Sequence, residues 1–197
     1  TSSKEINLFD PDFLEKVRKI KMPNAKIRLL EMLLNKEISE FKKVNKVKGI
    51  EFSERLQKII NSYNERSELD ILDYDSIQAD TSEQILDLIL KLRTEMASFE
   101  DLGINYEEKA FYDILDMICK QYGFEFDKDK MLELAREIKK IVDDTARFPD
   151  WSDREDIKAQ LKMEIIVKLH EFSYPPITQD EVYKNVLEQA ENFKRNR

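Results

Sequence analysis

Residues 147–176 read RFPDWSDREDIKAQLKMEIIVKLHEFSYPP, and their punctuation is that of one helix. Pro149 pushes Phe148 out of the helical region, Ser152 and Glu155 stand at capping-box spacing, and Pro175-Pro176 halts the helix. Between these marks Ile157, Leu161, Ile165, Leu169 and Phe172 recur at steps of three and four, so they share one face. The spacing predicts an amphipathic helix packed against others.

Working outward, the same pattern repeats. Pro11 opens a helix carrying Phe13, Leu14, Val17 and Ile20. Pro23 opens a longer one with Ile27, Leu30, Leu34, Ile38 and Phe41, which Gly49 ends or interrupts. Ser53 is placed to cap a helix with Leu56, Ile59, Ile60 and Tyr63 on its inner face. An acidic stretch from Glu68 to Asp87, without Lys or Arg, begins as a connector. Thr81 and Gln84 then form a capping-box pattern ahead of Ile85, Leu88, Ile89, Leu92, Met96 and Phe99. Gly103 breaks that helix. Asn105 with Glu108 caps the next, which carries Phe111, Leu115, Ile118 and Tyr122 and stops at Gly123. Residues 127–144 carry Met131, Leu134, Ala135, Ile138, Ile141 and Val142, and a last helix capped by Thr178 and Glu181 carries Val182, Val186, Leu187 and Phe193. Phe124-Glu125-Phe126 alone hints at a strand and is too short to anchor a sheet. The sequence therefore predicts an all-α fold, an irregular multi-helix bundle of about seven to nine helices. It forms a single domain over 1–197 or two packed lobes, 1–79 and 80–197.

Composition agrees. Three Gly and five Pro leave little material for hairpin turns, and 41% hydrophobic with 38% charged residues suffices for a core under a solvated surface. A formal net charge of −8 argues against non-specific DNA binding as the principal task, although a local basic patch remains compatible with it. The single cysteine, Cys119, forms no internal disulfide, which points to a reducing, cytoplasmic home. There is no signal peptide and no apolar run approaching the ~20 residues of a membrane span. The opening Thr1-Ser2-Ser3 fits a piece of a larger protein.

Catalytic constellations are hard to find. No Gly-Lys-Ser or Gly-Lys-Thr offers a phosphate-cradling loop, and one His with one Cys falls short of a zinc site. Glu40-x-Lys42 and Glu137-x-Lys139 echo the metal-binding end of many nucleases, but two-residue spacing on a helix points the groups to different faces. His170 suits the negative end of a helix dipole, and Cys119 suits a small buried position. We therefore expect no catalytic, cofactor-binding or metal-binding residues. Trp151 reads either as a core anchor or as an interface hot spot with Arg154 and Tyr174, and Asp150 stands one turn from Arg154. Lys42, Lys43, Lys46 and Lys48 form the most basic run, and Lys194, Arg195 and Arg197 a second. Each run reads as a solvated helix end or as a nucleic-acid contact, with Lys42, Lys43, Lys46 and Lys48 the candidate DNA contacts.

Several motifs carry a resemblance. Asp150-Trp151, Arg154-Glu155, Tyr174-Pro175-Pro176 and Val186-Leu187-Glu188-Gln189-Ala190-Glu191 occur in the order seen in the C-terminal domain of the restriction (R) subunit of type I restriction-modification enzymes, which the chain resembles. Phe52-Ser53-Glu54-Arg55-Leu56, Tyr63-Asn64-Glu65-Arg66, Ala110-Phe111-Tyr112-Asp113 and Leu134-Ala135-Arg136-Glu137 resemble that family too, so the likeness runs from about Pro23 to Glu191. It implies a much larger ATP-dependent, site-specific deoxyribonuclease whose nuclease and motor domains, with their ATP and Mg, lie outside this chain. It further implies a helical part, without catalytic activity of its own, that docks the motor subunit onto the methyltransferase and specificity subunits. The alternative is a guide that contacts DNA through the Lys42–Lys48 ridge. An independent enzyme using an acid–base pair among the many carboxylates is a third reading.

Overall fold

The computed structural model describes residues 7–69, 74–145, 147–148, 151–175 and 180–196. Pro149, Asp150, Pro176, Thr178 and Arg197, invoked above, lie outside the described residues, as do Asp70 and Asp73 of the acidic connector. Among the described residues the fold is all-α: eight α-helices, one 3-10 turn and no strand. The helices are α1 (Pro11–Arg18), α2 (Pro23–Val44), α3 (Lys46–Leu69), α4 (Tyr74–Ala97), α5 (Tyr106–Tyr122), α6 (Lys128–Thr145), α7 (Glu155–Glu171) and α8 (Asp180–Arg195), with the 3-10 turn at Trp151–Asp153.

The chain divides into two compact units, Thr1–Glu40 with Gly49–Ala97, and Phe41–Lys48 with Ser98–Arg197. A boundary at 79/80 falls inside α4. The second unit takes its part of the α2–α3 hairpin from the tip.

In the first unit, Asp10 Oδ1 accepts from the Asp12 amide at 2.9 Å and Pro11 fills the first helical position, so α1 begins where local chemistry places it. Helix α2 buries Ile27, Leu30, Leu34 and Ile38, α3 buries Phe52 and Leu56, and α4 buries Ile77, Ile85, Ile89 and Leu92. Asn24 Oδ1 accepts from Gln78 Nε2 at 2.7 Å and from the Tyr63 hydroxyl, joining α2 to α4 and α3.

The start of α4 corrects the capping-box reading at Thr81. The helix begins at Tyr74, and Thr81 Oγ1 turns back to the Ile77 carbonyl at 2.8 Å while Ser82 Oγ bonds the Gln78 carbonyl at 2.8 Å. Both residues are buried. A β-hydroxyl serves either role, and Ile77 extends the Ile85–Ile89 stripe two turns upstream, which decides for the helix interior. Helix α3 likewise begins at Lys46, so Ser53 is not its cap and Gly49 lies inside it.

In the second unit, α5 opens with the expected capping box: Asn105 Oδ1 accepts from the Glu108 amide at 2.8 Å and Glu108 Oε2 from the Asn105 amide at 2.9 Å. It closes on Gly123 at φ 69°, a left-handed position that a residue with a Cβ enters only with strain. Helix α6 packs on α5 and α7, and α8 packs on all three. Their shared core holds Phe111, Leu115, Ile118, Leu134, Ile138, Leu161, Ile165, Leu169 and Val186. Phe124 and Phe126 form no strand; their rings meet the Tyr174 ring edge-on at 5.7 and 4.9 Å.

Helix α7 buries Ile157, Leu161, Ile165 and Leu169, four of the five residues on its expected inner face, and Phe172 is half-buried at its end. Its expected cap is absent. Arg154 occupies the N-cap without a side-chain bond, because residues 151–153 form the 3-10 turn. Each buried aliphatic contributes about 1.5–3 kcal/mol, against about 1 kcal/mol for a cap, so packing fixes this helix.

Candidate interaction site

The second unit includes the tip of the α2–α3 hairpin, where one helix ends at Val44 and the next begins at Lys46. A helix end leaves carbonyls without partners and a helix start leaves amides without them. Helix α8 supplies both. Gln189, 1% exposed, donates from Nε2 to the Val44 carbonyl at 2.9 Å and accepts at Oε1 from the Lys46 amide at 3.0 Å. Asn192 Nδ2 donates to the Lys42 and Lys43 carbonyls at 3.0 and 3.1 Å.

Asn45, at the break, completes the joint. Its Oδ1 accepts from the Lys48 amide at 3.1 Å, the bond of an N-cap, and its Nδ2 donates to Asp113 Oδ2 on α5 at 2.7 Å. Asp113 Oδ1 in turn meets Lys109 Nζ at 2.5 Å. Lys109, Asp113 and Asn45 are all buried. Here the expectation that Gly49 ends the helix is corrected: the tertiary partners at Asn45 make the break.

A second polar seam joins α6 and α8. Lys139 Nζ reaches Asp143 at 2.5 Å and Glu107 at 2.8 Å and lies 5.5 Å from the Phe193 ring centre. Burial pulls its pKa down, but the hydrogen bonds to Asp143 and Glu107 outweigh that, and the net shift is upward. Lys194, 6% exposed, has no carboxylate partner among the described residues. Its Nζ donates to the Thr145 carbonyl at 2.7 Å and sits 4.4 Å over the Trp151 ring. Burial pushes its pKa down to about 8.

That shift sets a pH dependence. A fold that disfavours the ammonium form is stabilised fully above the unfolded value of 10.5, and the contribution is lost as pH falls through about 8. Comparing wild type with Lys194→Met by urea denaturation, we expect the stability difference to be flat below pH 8. Between 8 and 10.5 the wild type should gain about 1–3 kcal/mol relative to the variant. A flat difference throughout that range would show an unshifted lysine.

The structure separates the residues singled out as partner contacts. Trp151 is 8% exposed beneath Lys194, while Tyr174 is 1% exposed in the core, its hydroxyl donating to the Leu115 carbonyl at 2.7 Å with Cys119 Sγ 3.8 Å away. Arg154 is exposed, doubly bonded to Asp156 and 5.9 Å from the Phe148 ring centre. Of the basic run, Lys42 and Lys43 are exposed, Lys46 pairs with Glu188 at 2.9 Å, and Lys48 is half-buried. The last turn of α8 adjoins the Lys42 and Lys43 carbonyls through Asn192; of the second basic run Arg195 is exposed, while Lys194 is buried against Thr145 and Trp151. His170 is exposed in the last turn of α7.

Reading side chains by type missed Asn45, Asp113, Gln189 and Asn192. Asp113 and Gln189 stood within quoted motifs, but nothing local told that they face each other's neighbourhood. Among the described residues no three His, Cys, Asp or Glu side chains converge as they would to hold a metal ion, and no helix is long and apolar enough to cross a membrane.

Residues 1–196 match the family model described as type I restriction enzyme HindI endonuclease subunit-like, C-terminal. The chain is 27% identical over 194 residues to the type I restriction enzyme HindI endonuclease subunit of Haemophilus influenzae, covering 96% of this chain and 17% of that protein. It is 23% identical over 165 residues to the putative type I restriction enzyme MjaIXP endonuclease subunit of Methanocaldococcus jannaschii, covering 84% of this chain and 15% of that protein. No solved structure matches.

Proposed function

Because this chain belongs to the type I restriction enzyme HindI endonuclease subunit-like C-terminal family, we propose that it is the assembly module of such a subunit, docking an ATP-driven motor and nuclease onto a methyltransferase-specificity core. One observation carries the reading: the polar side chains within the family-like motifs point inward, Gln189 holding the helix ends at Val44 and Lys46 and Asp113 holding the Asn45 side chain between them. They fix a shape, as a binding module requires. On this reading the chain has no catalytic activity of its own, and ATP and Mg serve domains outside it. Its place is the cytoplasm, where that core methylates DNA.

A second reading, a DNA guide, draws support from the exposure of Lys42 and Lys43 at the end of α2. Titrating the chain against a cognate methyltransferase-specificity core, and against duplex DNA alone, at two salt concentrations separates them. Docking predicts core binding of modest salt dependence with no DNA binding. DNA guidance predicts affinity for duplex alone falling with log salt at a slope of about −0.9 per phosphate contact, and that result without core binding would overturn the docking reading.

A further inference from the structure

Helix α2 carries a second apolar stripe. Its inner face buries Ile27, Leu30, Leu34 and Ile38, while on the other side Met22 is 69% and Met32 61% exposed, Ala25 is exposed and Leu29 is half-buried. Met22 stands just before the helix and belongs to its geometry, since its carbonyl accepts from the Lys26 amide at 3.0 Å. Met22, Ala25, Leu29 and Met32 follow at steps of three, four and three, so they line one side over about 15 Å before Lys36 ends the stripe. A surface helix ordinarily turns charge outward at such positions. The thioethers at the two ends give instead a soft surface that moulds to aliphatic or aromatic neighbours.

We propose that this stripe of α2 is covered by the domain preceding residue 1 in the same subunit, through aliphatic or aromatic side chains of that domain. This contact rests on the subunit assignment in the docking reading and goes beyond it, since it lies within the subunit rather than against the methyltransferase-specificity core.

Size and position choose the occupant. Four residues fall far short of the ~20–30 per side that hold two freely diffusing proteins together, which disfavours a second copy of this chain or a separate subunit. A tethered domain needs far less, because the covalent link supplies an effective concentration on the order of millimolar. Position agrees. The chain matches a C-terminal family and spans 17% and 15% of its two relatives, so in a subunit of that length most of the polypeptide precedes it. That polypeptide enters ahead of α1, and Met22 lies four residues past Arg18, where α1 ends, in the same compact unit. Eight helical residues span only about 12 Å, so the stripe is within reach of a domain joined at residue 1.

The test is oxidation by dilute hydrogen peroxide, read by peptide mass spectrometry, in the 197-residue chain and in the complete subunit that contains it. Met163, 62% exposed on α7, serves as the internal standard. Met22 and Met32 are expected to oxidise at least about fivefold more slowly in the complete subunit, with Met163 equal in both, because oxidation follows exposure. Equal rates at Met22 and Met32 in the two proteins would overturn the proposal. Protection that is lost on dilution would make a second copy the occupant, and protection that arises only when the methyltransferase-specificity core is added would assign the stripe to that core; either overturns it. Met22→Glu with Met32→Glu should leave the thermal midpoint of the chain unchanged, both side chains being exposed, and speed proteolysis before residue 1 in the complete subunit at least about fivefold. An unchanged cleavage rate would count against the contact. Core binding is scored separately: a subunit that protects Met22 and Met32 yet fails to bind the core would overturn the docking reading and uphold this contact.

Discussion

Asp113→Ala is expected to lower the stability of the second unit by about 3–5 kcal/mol. Asp113, 5% exposed, is the carboxylate against which Lys109 Nζ is buried at 2.5 Å and to which Asn45 Nδ2 donates at 2.7 Å. Alanine removes the negative charge and keeps the burial, so the ammonium loses this counter-charge in a poorly solvating place. The charge pair itself adds little, because two buried ions give up their hydration. Replacing both, as Lys109→Met with Asp113→Leu, should therefore recover most of the loss. The single tryptophan, Trp151, lies in the second unit, so its fluorescence in a urea titration reports the right transition. A stability for Asp113→Ala within about 1 kcal/mol of wild type would mean that water solvates the Lys109 ammonium left behind.

Gln189→Leu is expected to cost about 2–4 kcal/mol through a different mechanism. The side chains are of similar size, so the cavity is small, but the Lys46 amide and the Val44 carbonyl lose their partner across the helix break. An orphaned buried donor or acceptor costs about 1–3 kcal/mol. Gln189→Glu separates the two bonds: it keeps an acceptor for the Lys46 amide and loses the donor to Val44, and should fall between wild type and leucine. Hydrogen exchange at the Lys46 amide gives the local readout. We expect its protection to drop in the leucine variant well before the α5 amides change. Equal protection in both proteins would show that the break is held by its own backbone.

The helical faces were legible in the sequence. Val17 on α1, Ile27, Leu30, Leu34 and Ile38 on α2, Leu134, Ala135, Ile138 and Val142 on α6 and Ile157, Leu161, Ile165 and Leu169 on α7 are buried as their spacing required. The candidate site was legible only in pieces. The lysine run at 42–48 and the family-like stretch at 186–191 were each visible, yet nothing in either showed that α8 caps the break between α2 and α3. Trp151 and Tyr174 drew notice as large aromatics, and residue type alone does not separate a buried aromatic from an exposed one.

By itself the sequence determined the class of fold, the inner faces, the start at Pro11, the cap at Asn105 and the stop at Gly123, because each rests on contacts within four or five residues. Tertiary structure alone decided that α4 starts before Thr81, that the hairpin breaks at Asn45 rather than Gly49, and that Lys194 lies buried over Trp151. The reason is the reach of the partners: the amide that must be satisfied at Lys46 finds its acceptor 143 residues away, on Gln189, where no local pattern extends.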